Sequence, residues 1–212
     1  MVPPPPDFRR VTPLFHAWAA GDPIIRVFNH EYAPNAFNPG RGGGVRGRFH
    51  FFEVSAGAVV PALYGADQED GAIAETVFHD VPVRGDHRVV LETRLTPLSI
   101  VTLAPARELR LVELLGFGLQ RLGIRAEELT STEASEYAST VRWAAAIHGA
   151  FPDVDGLAWM SRQFNAARAV VLFGDRVASA ELEAVAPPLP LAFGPGRIRL
   201  DDAANRAGIA II

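Results

Sequence analysis

The apolar residues of this chain come in short runs that proline, glycine and asparagine interrupt. IIRVF at 24–28, VVPALY at 59–64, LAWMS at 157–161 and ARAVVLF at 167–173 are each bounded by one of those residues. Runs of this length, rich in β-branched and aromatic side chains, are what buried strands need. None approaches the roughly 18 consecutive apolar residues of a membrane span. The chain must therefore build its core by assembling many short strands.

Helical spacing is present as well. Ile73, Ala74, Val77 and Phe78 make one apolar face and predict a helix over 69–79, with Glu75 pointing away from the centre of that face. A second helix is predicted at 134–149 after the capping residues of TSTE, and shorter ones at 12–20, 117–122 and 201–207. RFHFFEV at 48–54 reads as a strand, 87–104 as two strands broken around Thr96-Pro97, and 179–186 as a weak strand. LRLVELL at 109–115 fits either a strand or a helix. Strands and helices do not alternate regularly, so a mixed-sheet α+β domain fits better than a doubly wound sheet. Residues 1–23 read as a proline-rich leader with a short helix, and 24–212 as the domain itself.

A net charge of -4 excludes a global field that would gather nucleic acid. With no cysteine, there is no disulfide, thiolate nucleophile or cysteine metal site. That absence is compatible with a cytoplasmic protein. The start MVPPPPDFRR lacks the apolar core of a signal peptide. The six histidines form neither HExxH nor an i, i+4 pair, so nothing points to a metal.

The long segment 29–47 is dominated by Gly, Pro and Asn and ends in GRGGGVRG. It matches neither a dinucleotide fingerprint nor a P-loop. Between 26 and 50 stand four arginines, Arg26, Arg41, Arg46 and Arg48, against one acid, Glu31. Such a segment is either a solvated surface loop or one whose glycines let the backbone approach a ligand while arginines bind phosphate. Arg26, inside an apolar strand, is an edge residue or an anchor for a ligand. Ser161 lacks a nucleophile elbow and reads as a strand-end hydroxyl. By pattern alone, Tyr64 is a core or rim aromatic and Glu75 a solvent-face acid.

In order and spacing, IIRVF with Arg26, GRF with Arg48, ALYGA with Tyr64, AIAE with Glu75 and DGLAWMSR with Ser161 resemble the RES family, most strongly over 24–175. Phe49 stands where many relatives carry tryptophan. The resemblance implies an α+β fold similar to the ADP-ribosyltransferase toxins, a toxin that consumes NAD as substrate, and no separate cofactor. It implies cleavage of the nicotinamide–ribose bond by phosphorolysis, with inorganic phosphate as co-substrate. Hydrolysis or transfer of ADP-ribose to a protein are the enzymatic alternatives, and a non-catalytic nucleotide- or protein-binding module is the alternative of another class. Glu75 is the residue implied for the chemistry, with Arg48 and Ser161 as its catalytic companions. Arg26, Tyr32, Arg46, Arg48, Tyr64 and Ser161 are the implied substrate contacts: Arg48 and Arg46 near phosphate, Tyr64 against the nicotinamide side. The implied partner is a cognate antitoxin with a helix-turn-helix DNA-binding region, for which the arginine-rich segment offers charge complementarity; no direct contact with nucleic acid or membrane is implied.

Overall fold

A computed structural model of the chain describes residues 1–40, 47–54, 57–85 and 87–212. The strands are β1 (Phe15–Trp18), β2 (Ile24–Asn29), β3 (Ala62–Ala66), β4 (Val89–Val90), β5 (Leu98–Pro105), β6 (Leu109–Glu113), β7 (Gly156–Met160), β8 (Arg168–Phe173), β9 (Leu182–Ala184), β10 (Leu189–Pro190) and β11 (Ala210–Ile211). The helices are α1 (Glu69–Thr76), α2 (Gly116–Arg121), α3 (Ala126–Leu129), α4 (Tyr137–Ala150) and α5 (Gly194–Ala207). One sheet runs β1-β6-β7-β8-β3-β2-β5-β10, with β9 added to β5, and β4 and β11 form a separate pair. Within the large sheet β6 and β7 are parallel and the other pairs antiparallel. This is the mixed α+β domain that the order of apolar runs predicts.

Alternation along the central strands divides the core. Leu157, Trp159, Ala169, Val171 and Phe173 point to one face, where Val141, Ala144 and Ile147 of α4 cover them. Ala158, Val170 and Leu172 point to the other, against Ile24, Leu63, Val101 and Leu111. Both faces of β7 and β8 are therefore buried, which explains why their sequences read as continuous apolar runs. A third cluster joins Ile73 of α1, Val77 just beyond its end, and Leu200 and Ala203 of α5 to Val27 and Ile100 of the sheet. Among the described residues no helix is long and apolar enough to cross a membrane.

Four local expectations are corrected. The helix expected at 12–20 is strand β1, because Phe15–Trp18 pairs antiparallel with β6 and buries Trp18 at the sheet edge. Tertiary pairing overrides a weak helical pattern there. The strand expected at 48–54 makes only the isolated bridges Gly47↔His50 and Glu53↔Val59. Its buried aromatics, Phe49 and Phe52, are three apart, a spacing no straight strand can turn to one face. The helix expected at 201–207 begins at Gly194, with Pro195 in the first turn, where a missing N–H costs nothing. The weak strand at 179–186 shortens to β9 behind a 3₁₀ turn, Ser179–Glu181.

The leader is part of the packed structure. Val2 is buried, the Trp143 indole donates to the Pro3 carbonyl at 2.7 Å, and Phe8 meets Trp143 and Phe151 edge-on. The leader thus covers the outer side of α4.

Candidate active site

The middle of the sheet carries a cleft of about 340 Å³, lined by Arg26, Arg48, His50, Tyr64, Glu75, His79, Tyr137 and Trp159 among others. Tyr64 rises from β3 and Trp159 from β7, with their rings 6.0 Å apart and edge-on. Arg26 comes from β2. Arg48 and His50 come from the connection that precedes β3, and Tyr137 from the first position of α4. A second cavity of about 330 Å³ shares Arg48, Glu75, His79, Asp80 and Tyr137 and adds Glu133, Arg162 and Gln163.

Glu75 occupies the last turn of α1, and the sequence explains why that helix lies where it does. Gly71 faces the sheet with no side chain, so the helix approaches Ala167 closely; a Cβ there would fall 2.4 Å from the Ala167 Cβ. The Gln68 side chain donates to the Ala166 carbonyl at 2.8 Å. Glu69 and Asp70, placed favourably at the helix N-terminus, pair with Arg199 and Arg206 of α5. The far end then presents Glu75 to the end of β7. Its Oε1 accepts from the Ser161 hydroxyl at 2.6 Å and from the Arg162 backbone N–H at 3.0 Å. Among the described residues its Oε2 accepts no hydrogen bond. Glu75 is therefore not the solvent-face acid that helical pattern alone describes.

Ser161 is held in turn. Phe164 N–H donates to its oxygen at 2.9 Å, so the hydroxyl proton is free to go to Glu75. With an exposure of only 1%, Ser161 stands behind the carboxylate and not on the wall of the cleft. Its hydroxyl bears on Glu75, the residue it is expected to accompany.

Arg48 is buried. Its Nη2 donates to the Thr132 carbonyl at 3.1 Å, and its guanidinium lies 5.4 Å from the Tyr137 ring centre. Arg162 reaches the same carbonyl through Nη1 at 3.0 Å. Arg26 Nη1 donates to the Pro34 and Ala36 carbonyls, and burial pushes its pKa down to about 10, still charged at neutral pH. The Nε atoms of Arg26 and Arg48 and the Trp159 indole N–H are buried without a partner among the described residues. Such donors are uncommon in native proteins unless something else satisfies them.

The remaining predicted contacts divide. Tyr64 is in the cleft, with its hydroxyl 2.7 Å from His50 Nδ1 and accepting from Phe49 N–H at 3.2 Å. Tyr32 is 65% exposed and does not line the cleft. Arg41 and Arg46 lie outside the described residues. Because Arg48 is buried and Arg26 is tied to carbonyls, these two do not form the open basic surface that the arginine count suggested. Sequence reasoning passed over His50, His79, Tyr137 and Trp159 as cleft residues and Arg162 as a partner of Glu75. No motif marks any of them; the available signal was proximity, since His50 lies two residues from Arg48 and Arg162 follows Ser161. Among the described residues no three metal-binding side chains converge.

A mixed α+β domain that sets one held carboxylate among buried donors and aromatic rings is the class that fold and cleft define. The chain matches the RES domain over residues 23–194 and belongs to that family. No characterised protein matches it significantly by sequence. Its fold is similar to a chain of the MbcT-MbcA toxin-antitoxin complex of M. tuberculosis, with a TM-score of 0.61, 12% identity, and coverage of 89% of this chain and 92% of that one.

Proposed function

We propose that this protein is the toxin of a toxin–antitoxin pair and an enzyme that cleaves the nicotinamide–ribose bond of NAD, with inorganic phosphate as acceptor. One observation carries the reading: a carboxylate with one oxygen fixed by two donors lines a cleft together with two arginines, Arg26 and Arg48, and the Tyr64 ring. A dinucleotide brings phosphate groups for the arginines and a pyridinium ring for the aromatic wall.

In the reaction the bond between the ribose C1″ and the pyridinium nitrogen breaks, and its electron pair leaves with neutral nicotinamide. Positive charge develops on the ribose. Glu75 stabilises that charge, and it does so without reorganising, because Ser161 and Arg162 already hold it. A phosphate oxygen then bonds to C1″ to give ADP-ribose-1″-phosphate. Arg26 and Arg48 bind phosphate groups of the substrates through charge-assisted hydrogen bonds. Tyr64 offers its ring to the nicotinamide. Water or a protein side chain at the same position would give hydrolysis or ADP-ribosyl transfer by the same departure step.

The test is to incubate the pure protein with NAD, with and without phosphate, and to follow the products by mass. ADP-ribose-1″-phosphate formed only with phosphate is the expected outcome. ADP-ribose irrespective of phosphate would replace phosphorolysis by hydrolysis, and label on macromolecules from labelled NAD would replace it by transfer. Tight NAD binding with no turnover would leave a binding module and remove the enzyme. A cell that makes such an enzyme in its cytoplasm needs an inhibitor. We therefore assign it a cognate antitoxin, carrying a helix-turn-helix region and closing the cleft; expression without that partner is expected to arrest growth.

A further inference from the structure

His50 stands in the wall of the cleft, in contact with Tyr64 on one side and the backbone of Gly47 on the other. The Tyr64 oxygen has one proton and two lone pairs. Phe49 N–H takes a lone pair at 3.2 Å, and His50 Nδ1 lies 2.7 Å away, a short contact for an oxygen–nitrogen hydrogen bond. A neutral imidazole accepts at one nitrogen and donates at the other, and the partner of one nitrogen decides the state of the other. Burial favours the neutral imidazole and the protonated phenol, and where the phenol proton lies on the 2.7 Å contact, Nδ1 is its acceptor. In that arrangement Nε2 carries the ring proton.

The ring cannot drift from this position. It packs at 4.8 Å from the Tyr64 ring and 4.4 Å from that of Phe51, both edge-on. It lies directly over Gly47, where a Cβ would fall 2.1 Å from its Cε1 and 2.6 Å from its Nδ1. Glycine at 47 is thus required for His50 to stand where it does. In the same arrangement the Tyr64 proton is spent on His50.

We propose that His50 is a substrate-binding residue: its Nε2–H, fixed as a donor by the Tyr64 hydroxyl, hydrogen-bonds an acceptor atom of the bound nucleotide, and Tyr64 is the positioning residue behind it. This rests on NAD being the ligand of the cleft.

Two substitutions separate this role from a purely structural one. Glutamine can place an amide N–H near the Nε2 position, and asparagine an amide oxygen near the Nδ1 position, where it accepts from Tyr64. NAD affinity is measured by calorimetry on the full chain in a Glu75→Gln background, where turnover is suppressed, and KM and kcat on the otherwise native chain, each variant checked for its fold by circular dichroism. His50→Ala and His50→Asn are expected to weaken NAD binding by roughly tenfold, the scale of one lost hydrogen bond, with kcat nearly unchanged, and His50→Gln to restore most of the affinity. Restoration by asparagine and not by glutamine would mean that His50 serves only Tyr64, and would overturn the proposal while NAD cleavage stands. Binding with the glutamine pattern but without cleavage would keep His50 in its role and remove the enzymatic reading. A ¹⁵N spectrum of the imidazole in the intact protein gives a second decision: a proton on Nε2 is expected, and one on Nδ1 would refute the arrangement.

Discussion

A carboxylate that stabilises a developing cation must neither swing away nor pick up a proton, and the partners of Glu75 serve the first requirement. Ser161 and Arg162 both donate to Oε1, so the plane of the carboxyl is set from the β7 side. Glu75→Gln keeps an acceptor oxygen for both donors and removes the charge. It is expected to leave the fold intact and lower NAD cleavage by about two orders of magnitude, the scale of losing one preorganised electrostatic partner. A folded Glu75→Gln protein with native turnover would take Glu75 out of the mechanism. Ser161→Ala acts one step removed. It is expected to lower kcat roughly tenfold with KM little changed, since the hydroxyl bonds the carboxylate and not the cleft. A rise in KM at constant kcat would instead put Ser161 in contact with substrate. Glu75, Arg48, Tyr64 and Ser161 were singled out by the resemblance of their ordered segments to the RES family, since by pattern alone Tyr64, Glu75 and Ser161 read as ordinary structural residues. His50 and Arg162 were invisible to it, because a hydrogen bond between residues 14 or 87 positions apart leaves no periodic trace.

At the scale of elements, legibility followed burial. Strands β2, β3, β7 and β8 were readable because two buried faces demand an unbroken apolar run. Strand β1 was not, since an edge strand with one partner needs little apolar sequence, and FHAW is also a tolerable helical turn. The beginning of α5 was hidden by its own glycines and proline, which read as loop until the helix is known to start there. Helix α1 was legible as a helix, but its closeness to the sheet hangs on Gly71. By propensity, Gly71→Ala should stabilise a helix interior by about 1 kcal/mol. Here the added methyl meets the Ala167 Cβ at 2.4 Å and the Ala66 Cβ at 3.3 Å, so overpacking, typically about 1–3 kcal/mol, wins. The variant is expected to lose stability in urea and to lose turnover more than its stability predicts, because α1 must lift and carry Glu75 away from Ser161. Unchanged melting and activity would show that α1 has room to rotate in place.

Acid sensitivity belongs to the whole molecule, because the histidines whose pKa falls sit in three separate places: half-buried His16 on β1 and His50 in the cleft, and buried His148 at the end of α4. Burial is the leading cause of a lowered pKa at all three; at His148 it outweighs the nearby Asp175 carboxylate, and at His16 the Arg168 guanidinium adds to it. For His50 the fall is to about 4 from 6.5. A histidine neutral in the fold and free to charge when unfolded makes the unfolded chain the better proton binder between those two values. Stability is then full above about pH 6.5 and declines as the pH drops toward 4. His50 alone should cost at most about 2 kcal/mol between pH 7.5 and pH 5.0, with His16 and His148 adding in the same direction. The carboxylates whose pKa values are lowered, such as Asp80 beside His79 and Glu181 beside Ala178 N–H and Arg107, lose their contribution in a lower window, as the pH falls below the ordinary carboxylate range. Urea unfolding at the two pH values, on the native chain and on His50→Gln, separates these terms. The native protein is expected to be less stable at pH 5.0, and His50→Gln to show a shallower dependence because glutamine takes no proton. Stability that stays level or rises on acidification would mean that the histidines accept protons within the fold, and the neutral His50 on which the Tyr64 hydrogen bond depends would go with it.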